Sequence, residues 1–304
     1  MFEVKNLHGV LPALITPVTR EGAVDEAGTR RLVEHVLAGG VHGLLALGST
    51  GETASLDEPS RRRLLGTVVE AAAGRAPVIC GVAQTHLNAA RAELAAAAAQ
   101  GADAALVTPP FYYPIDQATV LAFYRRLAAG SALPILVYNI PQFTKVWIEP
   151  ATLSTLAREG AVVGIKDSSR DFEYFSRMCV AVRELADFRI FTGSDTMLMA
   201  SMAMGAAGTI CGGANVAASL VVSVYDAVTR GDWEAARTHQ DRLVEVIMAL
   251  REGVFPAAIK AAAALQGVCE PWCVPPVAAL DEAATARLRE KMEALLTRQI
   301  LSRA

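Results

Sequence analysis

An excess of charge of either sign is missing from this 304-residue chain: 28 Lys and Arg against 31 Asp and Glu leave a formal net charge of -3. Without a basic field, neither a nucleic-acid backbone nor an anionic membrane is expected as a partner. Cysteine is scarce and odd in number, with five residues. Cys80 and Cys211 sit in apolar runs and Cys179 in a helical stretch, and only Cys269 and Cys273 lie close together. That placement suits buried, reduced thiols better than disulfides. Histidine is equally thin. His8, His35, His42, His86 and His239 form no metal-ligand spacing with the cysteines or acids, so no metal and no organic cofactor is expected. The opening Met-Phe-Glu-Val-Lys-Asn shows no charged region leading into an apolar stretch, as a secretory signal would. A cytoplasmic protein is the expectation.

Apolar residues are plentiful. They make up 53% of the chain against 19% charged, which fits a large core with oligomer interfaces and excludes a disordered or collagen-like chain. The uncharged run Thr196–Tyr225 exceeds membrane-spanning length. Five residues (Gly205, Gly208, Gly212, Gly213 and Asn215) divide it into pieces that suit a buried helix, strand and loop.

Short apolar runs recur at Leu11–Thr16, His42–Gly48, Pro77–Val82, Ala104–Thr108, Ile135–Asn139, Val162–Lys166, Arg189–Thr192 and Gly208–Cys211. They are nearly continuous, as parallel strands buried on both faces require. Their starts are spaced by roughly 20 to 35 residues, room for a strand, a helix and two loops. Eight such units predict an α/β fold, a (β/α)₈ TIM barrel. A doubly wound open sheet is the competing architecture, but Pro17-Val18-Thr19 after the first strand is no dinucleotide loop. Residues 1–220 are read as the catalytic barrel, and 221–304 as a C-terminal helical extension packed on it. The extension is broken at Gly231-Asp232 and at Pro271–Pro276, and no linker marks a separate domain. The alanine-rich stretch Ala89–Ala99 reads as a barrel helix. Arg61-Arg62-Arg63, after the predicted N-cap Asp57, reads as a solvated helix face, with phosphate binding as the alternative.

Barrel enzymes work at the C-terminal ends of their strands. Of five lysines (Lys5, Lys145, Lys166, Lys260, Lys291) only Lys166 ends a predicted strand. In a barrel mouth an amine loses hydration, which disfavours its charged form and frees it to attack a carbonyl. Alternation along the strand would send the neighbouring Asp167 to the opposite face. A strand-end ion pair is the plain alternative. The second strand ends Gly48-Ser49-Thr50-Gly51-Glu52, a tight turn with exposed N–H groups suited to a small carboxylate or phosphate. A serine nucleophile would need a histidine at another strand end, and none is there. The fifth strand ends Tyr138-Asn139-Ile140-Pro141, placing a phenol that could pass protons or simply pack. Thr108–Pro114 carries Tyr112 and Tyr113, and the seventh strand ends Gly193-Ser194-Asp195. Amine, phenol and hydroxyl turn at three strand ends together favour Schiff-base chemistry.

At these residues the chain resembles the pyruvate-dependent Schiff-base (class I) aldolase family that includes dihydrodipicolinate synthase and N-acetylneuraminate lyase. The resemblance covers nearly the whole chain. It runs from Leu11–Pro17 through Gly48–Glu52, Tyr138–Pro141 and Gly164-Ile165-Lys166-Asp167-Ser168 to Gly208-Thr209-Ile210. It implies that Lys166 forms the imine with pyruvate or another 2-oxo acid, and that Tyr138, hydrogen-bonded to Thr50, relays protons. Ser49 and Thr50 would hold the substrate carboxylate, with the backbone of Ile210 near the pyruvyl group and Gly193 and Asp195 also lining the substrate site. Tyr112, or its neighbour Tyr113, resembles the tyrosine that a partner subunit inserts into the relay. The family implies a homotetramer, a dimer of dimers.

The specificity positions depart from the best-known activities. In dihydrodipicolinate synthases an arginine two residues after the proline of the tyrosine motif grips the second substrate's carboxylate; here Phe143 stands there, and a phenyl ring cannot form that bidentate pair. A basic residue elsewhere, such as Lys145, could take its place. Thr196 and Gly212 replace the acidic residue and serine with which sialic acid lyases bind sugar hydroxyls. The main expectation is therefore a lyase that cleaves or dehydrates a small hydroxylated 2-oxo acid of the 2-oxo-3-deoxy sugar acid type. The alternatives are 4-hydroxy-tetrahydrodipicolinate synthesis, a non-catalytic 2-oxo-acid-binding barrel, and a phosphate-handling barrel using Gly212-Gly213.

Overall fold

Each apolar run of the sequence becomes one parallel strand of a single sheet. The computed structural model describes residues 3–301; the first two residues of the amino-terminal stretch, and the last three of the expected C-terminal extension, lie outside them. The strands are β1 (Gly9–Pro12), β2 (Leu44–Ala46), β3 (Val78–Val82), β4 (Ala104–Val107), β5 (Ile135–Asn139), β6 (Gly164–Asp167), β7 (Arg189–Thr192) and β8 (Gly208–Cys211). Their order around the sheet is 1-8-7-6-5-4-3-2, every pair parallel, and an Ala13–Leu45 bridge brings β1 to β2. This is the (β/α)₈ barrel predicted above, not an open doubly wound sheet.

Helices fill the connections: α1 (Glu26–Ala38), α2 (Glu58–Ala72), α3 (Leu87–Ala99), α4 (Gln117–Ala128), the single turn α5 (Pro141–Thr144), α6 (Pro150–Arg158), α7 (Phe172–Val182), α8 (Leu198–Ala203) and α9 (Ala214–Thr229). After them come α10 (Trp233–Ala249), α11 (Ala257–Leu265) and α12 (Glu282–Thr297). The breaks at Gly231-Asp232 and Pro271–Pro276 fall between helices, and α9 runs through residue 220. Aspartates start most of the long helices. Asp25, Asp57, Asp116, Asp171, Asp232 and Asp281 each accept the N–H three residues on, satisfying a donor that the first turn leaves free. Arg62 and Arg63, exposed and paired with Glu58 and Glu26, fit the solvated-face reading, whereas Arg61 is mostly covered in its pair with Glu93.

Two apolar layers follow from strand alternation. Leu11, Leu45, Ile79, Leu106, Leu136, Phe191 and Ile210 fill the barrel interior, while their neighbours Val10, Leu44, Cys80, Val107, Val137 and Ile190 pack outward against the helices. Strand ends differ from expectation where backbone geometry intervenes. β2 stops at Ala46 because Leu47 turns to a φ of 60°; past Pro12, Ala13 N and Leu14 N still donate to Cys211 O and Leu45 O, and at Ile15 the N–H turns to the Asn215 side chain. β6 extends one residue further than expected, to Asp167. All five cysteines are buried and unpaired, and among the described residues no helix is long and apolar enough to cross a membrane.

Candidate active site

Sheet register decides which side chains meet. Tyr138 on β5 sits opposite Lys166 on β6, and Lys166 opposite Phe191 on β7, so all three point inward in one layer. Lys166 Nζ donates to Tyr138 Oη at 3.4 Å and lies 4.5 Å from the centre of its ring. Both side chains are buried, Lys166 at 4% exposure and Tyr138 at 5%. One residue on, alternation turns Asp167 outward. Its carboxylate accepts from Asn139 Nδ2 (2.7 Å), Ser169 Oγ (2.8 Å) and Ser169 N (3.1 Å). Burial nevertheless holds the Asp167 carboxyl above the usual carboxylate range. The lysine–aspartate ion pair that the sequence left open is not formed; Lys166 faces a phenol in place of an acid.

Above this layer opens a cavity of about 400 Å³ lined by Lys166, Tyr138, Ser49, Thr50, Ile210 and Gly193, with Asp195 also on its wall. Ser49 Oγ is 3.4 Å from Tyr138 Oη. Thr50 lines the cavity but makes no hydrogen bond to Tyr138 among the described residues. The hydroxyl within reach of the phenol is therefore Ser49, because the turn after β2 carries it towards β5. Gly193 is closely packed: a Cβ there would stand 2.0 Å from Ser168 Oγ, which would have to rotate away, and 3.0 Å from Lys166 Cε. Asp195 Oδ1 accepts from Gly213 N at 3.1 Å, and burial pushes its carboxyl up from the usual range.

Tyr112 is not brought into the cavity. It is 83% exposed, adopts a φ of 82°, and meets Tyr113 edge to face at 5.0 Å between ring centres. Phe143 does line the cavity, as do Thr196 and Gly212, whereas Lys145 does not: its Nζ donates to Gln142 O at 2.9 Å.

Sequence reasoning missed three features. Arg170, after β6, and Arg251, after α10, both line the cavity. Nothing in the linear pattern brings those two loops together. The third is a buried ion pair, Lys260 Nζ to Glu52 Oε2 at 2.6 Å, with Glu52 Oε1 accepting Val274 N at 2.8 Å. It ties the Ser49–Thr50 turn to α11. A lone lysine inside Ala257-Ala258-Ile259-Lys260-Ala261-Ala262 was its available signal, since a charge on so apolar a helix needs a buried partner. Among the described residues, no cluster of three or more His, Cys, Asp or Glu is arranged to hold a metal.

An amine and a phenol in contact, walled by hydroxyls and shielded from bulk water, can form an imine with a small ketone and shuttle protons to it. Known proteins bear out the family resemblance. The model of the dihydrodipicolinate synthetase family matches residues 6–295. A 4-hydroxy-tetrahydrodipicolinate synthase of Hyphomonas neptunium is 38% identical over 285 residues, 94% of this chain and 97% of its own. Among solved structures, a dihydrodipicolinate synthase of Thermotoga maritima superposes with a TM-score of 0.92 at 28% identity, covering 97% of this chain and 100% of the other. YagE, an E. coli K12 prophage protein of the dihydrodipicolinic acid synthase family solved in complex with pyruvate, gives 0.90 at 27% identity over 97% of this chain and 98% of its own.

Proposed function

The chain belongs to the dihydrodipicolinate synthetase family of lyases, and from that premise we propose that it is a class I lyase that binds pyruvate as an imine on Lys166 and condenses it with a second carbonyl compound. The contact between Lys166 Nζ and Tyr138 Oη carries this reading. The amine attacks C2 of pyruvate; the C2 oxygen leaves as water, with protons passed through the phenol. The protonated imine then acts as an electron sink. Loss of a proton from the methyl carbon gives an enamine, whose carbon attacks an aldehyde to form the new carbon–carbon bond, and water releases the product and the free lysine. Ser49 and Thr50 hold the carboxylate of the bound acid, and Ser49, in reach of Tyr138, extends the proton path.

Of the two overall reactions expected above, 4-hydroxy-tetrahydrodipicolinate synthesis is the better supported, since curated relatives at 38–39% identity carry that name. Cleavage or dehydration of a hydroxylated 2-oxo acid stands as the second reading. Phe143 favours it, because that position offers no cation to a second carboxylate. The exposed, left-handed Tyr112 supports a homotetramer in which this phenol serves a partner's site, and the five unpaired cysteines support a cytoplasmic location.

Borohydride trapping tests the covalent step. With pyruvate present, a stable adduct on Lys166 is expected by peptide mass mapping, and none in Lys166→Ala. An unmodified Lys166 with every 2-oxo acid tried refutes the lyase reading.

A further inference from the structure

The outer half of the cavity is apolar where it meets α10 and α11, with Ile247, Leu250, Ile259, Phe143 and Phe255 on its wall. The two phenyl rings lie with their centres 6.3 Å apart, tilted by 42°. Two arginines, Arg170 and Arg251, border this wall where the cavity opens, and both are exposed to solvent. Among the described residues neither forms an ion pair. The acids beside them in sequence are engaged elsewhere. Asp171 caps α7 by accepting Tyr174 N at 2.9 Å, and Glu252 takes Lys291 and Arg287. Arg170 also holds a φ of 65°, a left-handed conformation that costs a side-chain-bearing residue strain. Besides the two arginines the cavity wall carries Lys166 at its inner end and one acid, Asp195, whose carboxyl burial disposes towards the neutral form. Unpaired cations at the rim of a cleft raise its potential and draw an anion towards it.

We propose that Arg170 and Arg251 form an anion subsite at the outer end of the cavity, which takes the distal carboxylate of the second substrate or of the condensed product. The preferred substrates are then 2-oxo acids, and aldehydes condensing to give them, that carry a second carboxylate. In this chain the task that Phe143 cannot perform has passed to two other loops. Arginine suits it, since its planar fork meets a carboxylate with two parallel hydrogen bonds. The inference rests on imine formation at Lys166, and its test separates the two.

The test is borohydride trapping on Lys166 at graded concentrations of pyruvate, 2-oxoadipate and 2-oxohexanoate, the last two being of equal length and differing in the distal carboxylate. The wild-type protein is expected to half-saturate with 2-oxoadipate at roughly tenfold lower concentration or better than with 2-oxohexanoate, the size of one charge-assisted hydrogen bond or more. Arg170→Gln and Arg251→Gln should each erode that preference, and the double variant should abolish it, raising half-saturation by 2-oxoadipate far more than that by pyruvate or 2-oxohexanoate. The Arg170→Lys/Arg251→Lys protein should keep part of it. If pyruvate labels Lys166 but the wild type does not discriminate, or the preference survives in the double glutamine variant, the subsite is wrong and the lyase reading stands. If pyruvate fails to label Lys166, both fall.

Discussion

Removing Lys260 probes how the Ser49–Thr50 turn is held. Its side chain is fully buried, that of Glu52 is 3% exposed, and their contact is 2.6 Å. Lys260→Met leaves the Glu52 carboxylate in the interior with one remaining partner, the Val274 N–H. Glu52→Gln can keep that N–H bond but strands the ammonium of Lys260. Each single change leaves an uncompensated buried charge and is expected to cost about 3–5 kcal/mol, whereas losing both charges costs much less, because the desolvation of two ions is then no longer incurred. The Glu52→Gln/Lys260→Met protein should therefore lie within about 1–2 kcal/mol of wild type, a coupling larger than separate sites ever show. Urea denaturation read by circular dichroism measures the three values. Glu52 lies two residues after Thr50, so the single variants should also form the pyruvate adduct more slowly, and the double variant should recover part of that rate. Single losses below about 1 kcal/mol, or a double loss equal to the sum of the singles, would refute the account of this pair as a buried, mutually compensating tie.

The other two predictions concern the lysine's immediate neighbours. Gly193→Ala puts a methyl group 2.0 Å from Ser168 Oγ and 3.0 Å from Lys166 Cε, so it should displace the lysine and cut the rate of borohydride trapping at least tenfold while the far-ultraviolet spectrum stays native; an unchanged trapping rate would show that the lysine has room to spare. Asp167 bears on pH. Burial raises its carboxyl above the ordinary 3.8, so the native chain holds this proton to higher pH than the unfolded chain does. The stability contributed by the protonated form is present below the unfolded value and is lost as pH rises through the folded one. Asp167→Asn removes that loss. Its urea midpoint should therefore gain on wild type as pH is raised from about 4 to 7, and a difference constant with pH would contradict the assignment.

The barrel was legible in the sequence because burial on both faces forces parallel strands to read as continuous apolar runs, and eight of them appear at βα spacing. Lys166 was legible for a related reason: it is the one lysine at a strand end, and period-two alternation separates it from Asp167 without any coordinates. The exchange of an arginine for Phe143 could also be read from sequence, since it lies at a fixed offset within one motif. Strand ends were less legible. At Leu47 and after Pro12 they depend on a left-handed backbone and on the Asn215 side chain, which arrives from far along the chain.

What the chain order determined was the periodicity, and with it the fold and the identity of the amine and phenol. What only the folded molecule decided was adjacency between loops. It set Ser49 in place of Thr50 against Tyr138, joined Glu52 to Lys260 across 208 residues, and brought Arg170 and Arg251 to one cavity while leaving Lys145 outside it. Strand pattern is local and repeats along the chain, so a linear reading recovers it. Contacts between loops follow from closure of the barrel, which sets residues distant in sequence within hydrogen-bond reach of one another.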